Sequence, residues 1–142
     1  RNALYHYSIG EDQFFTKHWQ EAILAFEKAK DLSGDDSSSL RDLIDFKMML
    51  CLAGLGMDDQ FDQLASINLA ANRGLLSGYT KAAKEFYAGN DSGAREVLAT
   101  IKSIVPNAEI RAPWEEAMAE FGYTLADNQA AQQTAPSDVD NP

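Results

Sequence analysis

Trp19-Gln20-Glu21-Ala22-Ile23-Leu24-Ala25-Phe26-Glu27-Lys28-Ala29-Lys30-Asp31-Leu32 is the stretch whose reading decides the fold. Its apolar residues Trp19, Ala22, Ile23, Phe26, Ala29 and Leu32 recur at the three-and-four spacing of one helical stripe. Ala22 and Ala29 flank Phe26, and Gly10 stands twelve residues before Ala22. Small residues let two helix backbones approach closely, and an aromatic ring fills the space between them. The pattern predicts a tight antiparallel helix pair.

Outward from that stretch the same punctuation continues. Residues 2–15 read as the helix leading into it, with Leu4, Tyr7, Phe14 and Phe15 as larger apolar positions and Thr16 as a candidate cap for the next helix. Gly34 is placed to end the second helix in a left-handed conformation, and Asp35 to Ser39 form a polar loop. Ser39 and Asp42 have capping-box spacing and open a third helix that runs to about Leu55 and ends at Gly56. Asp58-Asp59 start a fourth helix that stops at Gly74, and Leu75 to Ala88 is a fifth, closed by Gly89. Asp91 or Ser92 caps a sixth, closed by Pro106. Pro113 at a first-turn position, followed by Glu115 and Glu116 near the positive helix end, opens a seventh through about Leu125. No alternating strand pattern competes, so the class is all-α. Residues 1–126 form one domain, while 127–142 have almost nothing to bury and read as a polar, acidic tail or linker.

Composition excludes several functions. With 45% hydrophobic and 24% charged residues the chain is ordinary for a soluble globular domain. A net charge of −10 argues against nucleic acid or anionic lipid as the main partner, since both need clustered Lys and Arg. After Arg111 no Lys or Arg follows, while Glu115, Glu116, Glu120, Asp127, Asp138 and Asp140 remain. Cys51 stands alone, which rules out an intrachain disulfide or a cysteine-based zinc site. The apolar run Met48 to Gly56 is too short to span a bilayer, so no direct membrane insertion is expected. The chain starts at Arg1 inside a helical pattern, which reads as a fragment lacking its natural N-terminus and leaves cytoplasm and periplasm both open.

Chemistry-bearing residues do not converge on a site. His6 and His18 lack a third ligand at any recognisable spacing, and Asp31, Asp35 and Asp36 lack the alternation and closing Glu of a calcium loop. Asp58-Asp59 and Glu115-Glu116 begin helices, where the dipole accounts for them. No serine has a GxSxG setting and no Gly-rich phosphate loop occurs. Cys51 lies in an apolar helix and is expected to be inert. No catalytic residue, cofactor or metal site is expected.

The strongest pattern is repetition. Gly10 leads to Trp19, Ala22, Phe26 and Ala29 at intervals of nine, twelve, sixteen and nineteen. Ala82 leads to Asp91, Ala94, Leu98 and Ile101 at the same intervals, with Pro106 beyond, and Leu52 leads more weakly to Phe61, Leu64, Asn68 and Ala71. A small residue, an aromatic, Ala, an aromatic or Leu, Ala and a closing Pro at these intervals resemble the tetratricopeptide repeat over roughly residues 2–106. The resemblance implies a right-handed superhelix of about three antiparallel pairs, near 2–34, 39–73 and 75–106, with 113–125 as the extra helix that caps such arrays.

It also implies that the leading helices line a concave face that takes an extended or helical peptide. By register that face would carry Leu4, Tyr7, Glu11, Phe14 and Phe15 from the first pair. Phe46, Met49, Ala53 and Met57 would come from the second, and Leu76, Tyr79, Ala83, Phe86 and Tyr87 from the third. The Lys, Arg and Asn of a carboxylate-clamp groove are absent there, so an apolar groove rich in aromatics and Met is expected. The function this implies is a non-enzymatic protein–protein scaffold, a role that bacterial members of the family often serve in assembly of larger structures. A self-association module forming homo-oligomers through groove or tail is the alternative.

Overall fold

The computed structural model describes residues 2–35 and 38–126, all-α among the described residues: α1 (Ala3–Phe15), α2 (Trp19–Leu32), α3 (Ser38–Gly54), α4 (Asp58–Ala70), α5 (Gly74–Tyr87), α6 (Asp91–Ile104) and α7 (Ala108–Ala119). Successive helices pack on one another from α1 to α6, and α3 also touches α1 and α5. The chain is an α-solenoid of three helix pairs with a seventh helix added. The expected tail, 127–142, and the loop residues Asp36 and Ser37 lie outside the described residues.

One turn, used three times, sets the pairs. Lys17, Gly56 and Gly89 hold the left-handed conformation at φ 65°, 69° and 88°. In each case two amides return to the helix just ended: Lys17 to Phe14 and His18 to Gln13, Gly56 to Ala53 and Met57 to Leu52, Gly89 to Phe86 and Asn90 to Glu85. This pairing satisfies carbonyls that the helix end leaves bare. The next helix then begins at once, with the amides of Ala22, Phe61 and Ala94 donating to the carbonyls of His18, Met57 and Asn90. Thr16 therefore does not cap α2. It closes α1, its Oγ1 donating to the carbonyls of Asp12 (2.8 Å) and Gln13 (3.1 Å). Asn90, rather than Asp91 or Ser92, caps α6 through its side-chain oxygen. Gly34 is outside the left-handed set, and α2 closes on an extended Ser33. Ser39 lies inside α3, and Asp42 takes the Arg73 guanidinium at 2.6 Å instead of completing a capping box.

Because the turn fixes where each trailing helix starts, it also fixes which residues face inward. The buried stripe is Ala22, Phe26 and Ala29 in α2, Phe61, Ala65 and Asn68 in α4, and Ala94, Leu98 and Ile101 in α6. Each set stands at the third, seventh and tenth residue after its helix start. The second pair thus obeys the frame shifted three residues from the Leu52-based reading: Met49 takes the place of Gly10 and Ala82, and Leu52, Leu64 and Ala71 are only half buried.

The shift explains the weak match. In the first pair the small residue is on the leading helix, where a Cβ added to Gly10 would lie 2.5 Å from the Phe26 ring. In the second pair the sizes are exchanged, with Met49 on the leading helix and Ala65 on the trailing one, both fully buried. Burying a side chain such as Phe26 or Met49 stabilises by about 1.5–3 kcal/mol, provided the facing position leaves room. Either arrangement of large and small meets that condition.

Candidate functional site at the concave face and the open end of the stack

The helix expected to cap the array begins at Ala108 rather than Pro113, capped by Asn107, whose Oδ1 accepts the Glu109 amide at 2.9 Å. Pro113 therefore sits inside α7 instead of in its first turn. More consequential is where α7 goes. It packs on α3, so the helix and the residues after it lie across the leading helices, on the face assigned by register to a partner.

Aromatic rings make the contact. Trp114 stacks on Tyr79 of α5 at 5.6 Å and 9°, and lies 5.2 Å from Phe46 of α3. Phe121 stacks on Trp19 at 4.9 Å and meets Phe14 of α1 at 6.3 Å. Tyr123 stacks on Phe86 at 4.9 Å and 1°. Such pairs add about 0.5–1.5 kcal/mol each beyond the area they bury.

A polar thread runs underneath. The Tyr79 hydroxyl donates to Glu115 at 2.7 Å, Glu115 accepts Arg111 Nε at 3.0 Å, and buried Arg111 donates onward to the Val105 carbonyl at 2.8 Å. Burial, followed by the bond to Glu115, pushes the Tyr79 hydroxyl well above its ordinary range. At the far end Lys17 Nζ reaches the carbonyl and carboxylate of Glu120 at 3.1 and 3.3 Å.

The expected groove residues divide accordingly. Phe14, Phe46, Met49, Leu76, Tyr79 and Phe86 are core, buried where the pairs meet and where α7 covers them, so they are not a free surface. Ala83 is buried too, and Ala53, Met57 and Tyr87 are half buried. Phe15 is exposed, as is Leu4 at 64%.

Tyr7 and Glu11 remain half buried and hold Lys47, whose ammonium sits 2.8 Å from the Tyr7 hydroxyl and 2.7 Å from Glu11. Lys47 is 1% exposed and lies 4.9 Å from the Tyr7 ring centre. Burial, then the Glu11 charge, raises the Tyr7 hydroxyl far above its ordinary range. Sequence reasoning placed Glu11 on this face but expected no lysine beside it. The ammonium is the fixed partner of Glu11, and the pair joins α1 to α3. An opening of about 370 Å³ beside α7 is walled by Leu43, Leu76, Ile110 and Trp114, with the Asp42–Arg73 pair at its rim.

With α7 spent on the concave side, the described residues place no further helix pair on the end of the stack. Between α5 and α6 lies a cleft of about 390 Å³ walled by Leu75, Gly78, Val97, Ile101, Ile104 and Val105, with Lys81 its one charged side chain. Ile104 is 72% exposed. The corresponding cleft between α1 and α2 is filled by α3, and that between α3 and α4 by α5. Polar contacts mark both seatings: Lys30 to Asp45 at 2.6 Å and Arg41 to the Ser33 hydroxyl at 2.8 Å in the first, Arg73 to Asp42 in the second.

No family model, curated protein or solved structure matches this chain.

The site is therefore built from the geometry alone. Among the described residues no group of three or more His, Cys, Asp or Glu could hold a metal ion, and no helix is long and apolar enough to cross a membrane. Burial pushes the Cys51 thiol up to about 12, which keeps it protonated and unreactive at neutral pH. The covering role of the last helix had a trace in the sequence. Trp114, Met118 and Phe121 form their own three-and-four stripe, wide enough to need an apolar bed.

Proposed function

We propose that this chain is a non-enzymatic scaffold of tetratricopeptide-like helical repeats that holds a helix of a protein partner in the cleft between α5 and α6. The observation that carries the reading is internal: the two equivalent clefts of the same molecule each hold a leading helix, and the third is apolar and, among the described residues, holds none. An amphipathic helix laid into such a groove is a standard recognition mode, with anchors at helical spacing. Gly78 helps to shape the seat, since a Cβ there would come within 3.1 Å of Ile101. The concave face is covered by α7 of the same chain, so the reading places the partner in the end cleft instead.

A photoreactive side chain at exposed Thr100, which lines the cleft, tests the reading in extract of the source cells. Cross-links that map to one helical segment of a partner, and that disappear in the Ile104→Asp background, support it. Labelling no greater than from the same group placed at exposed Ser66 on α4 ends it.

A further inference from the structure

The partner for the open cleft can be argued from the molecule's own register. Counted back from the left-handed turn residues Lys17, Gly56 and Gly89, the three leading helices carry leucine at one shared position: Leu4, Leu43 and Leu76. In α5 that leucine is 2% exposed and in α3 it is packed against the core, whereas in α1 it is 64% exposed. The next position carries Tyr5, Ile44 and Ser77. Ile44 is fully buried in the stack, and Tyr5 is 47% exposed. So α1 carries, exposed, apolar residues at register positions that are packed in the later leading helices, and among the described residues no pair stands before it. At the other end, the α5–α6 cleft is the seat such a helix fits. The signs also agree, because Lys81 stands on the cleft wall and exposed Asp12 on α1.

We infer that the occupant of the α5–α6 cleft is α1 of a second copy of this chain, which continues the solenoid from one molecule into the next. The inference rests on the scaffold reading above and names the partner of the same cleft. The contact is heterologous, joining head to tail, so it does not close at a dimer unless the rotation between copies closes a ring. Its apolar surfaces are the same kind that hold the pairs together within one chain, and the pattern of repeat on repeat is that of solenoids generally.

Sedimentation of the purified full chain over a concentration series tests it. The expected result is a weight-average mass that starts at 15.6 kDa and rises past twice that value as concentration increases. Leu4→Asp removes the head and Ile104→Asp removes the tail, and each alone should remain monomeric throughout. Mixed in equal amounts, the two should form a species of twice 15.6 kDa and grow no further, because only one head and one tail remain to meet. Both positions are exposed, so the monomer fold is retained; should either aspartate variant lose its helical circular dichroism, Leu4→Ser and Ile104→Ser replace it with the same expected outcome.

A wild-type chain that stays monomeric to about 1 mM, the range of the weakest specific affinities, overturns the inference. So does a mass that stops at two copies and ignores Leu4→Asp, which would mean two tails meeting symmetrically. A monomeric chain whose Thr100 probe still captures a foreign helix sinks self-stacking alone; loss of both results sinks the scaffold reading as well.

Discussion

The concave face and the end of the stack are both apolar and have different fates among the described residues. The concave face holds Phe14, Phe46, Tyr79 and Phe86, and it is covered by Trp114, Phe121 and Tyr123 from the same chain. The end cleft holds Leu75, Val97, Ile101 and Ile104, and among the described residues nothing covers it. Flat rings stack on one another between elements, so Trp114 of α7, with Phe121 and Tyr123 beyond its end, reaches all three leading helices. The end cleft is lined by aliphatic side chains, into which the side-chain ridge of another helix can pack. Apolar surface by itself marks where something must pack; shape decides what.

The largest effect should come from stripping the covered side. Trp114→Ala removes the stack on Tyr79 and the contact with Phe46, and is expected to lower the unfolding free energy by about 3–5 kcal/mol in urea denaturation. A loss below about 1 kcal/mol would mean that α7 is a loose cover, and would return the concave face to the list of surfaces a partner can enter.

Next in size is the interior of a pair, which belongs to neither surface. Gly10→Ala drives a methyl into the Phe26 ring at 2.5 Å and should cost about 1–3 kcal/mol. Phe26→Leu in the same chain should recover part of that loss, whereas alone it should only destabilise. If the double variant is no better than the sum of the singles, the small-against-large account of the pairs is wrong.

Alkaline pH sharpens the comparison chemically, because three tyrosine hydroxyls work as ties between elements. Tyr87, donating to the Asp58 carboxylate, is pushed up to about 12, and burial raises Tyr7 and Tyr79 as well. A hydroxyl whose folded value exceeds its unfolded value of about 10 contributes fully below pH 10 and loses that contribution as pH climbs through the folded value. The urea midpoint should therefore fall between about pH 10 and 12, and Tyr79→Phe should make that fall shallower. A midpoint that stays level across this window would remove the tie between Tyr79 and Glu115 from the account.

The smallest expected change is at Lys17, which holds the left-handed position that glycine holds in the other two turns. Lys17→Gly should relieve about 1 kcal/mol of backbone strain. It also gives up the exposed Glu120 pair, worth about 0–1 kcal/mol, so the melt should rise slightly or stay level. A marked fall would show that Lys17 is a real latch on the far end of α7.

Much of this was legible along the chain. Six of the seven helices lie close to their expected bounds, because glycines, acidic first turns and apolar periodicity act over a few residues at a time. Counting from Gly56 instead of Leu52 would have corrected the second pair, since the turn residue stands seven after Gly10's counterpart in every pair. Lys47 was missed because a lysine amid apolar residues gives no sign of its partner, and Glu11 lies on another helix. The reach of α7 was missed for a different reason. Its stripe Trp114–Met118–Phe121 says only that one face is buried.

The amino-acid sequence by itself determined the all-α class, the three hairpins and the size-matched residues that hold each one shut, for these follow from φ preferences and from periodicity within a helix or two. Only the tertiary structure decided that the last helix folds back over the leading helices and that, among the described residues, no helix fills the end cleft. The choice between two apolar beds depends on the width and shape of surfaces assembled from distant parts of the chain, and no local pattern encodes that distance.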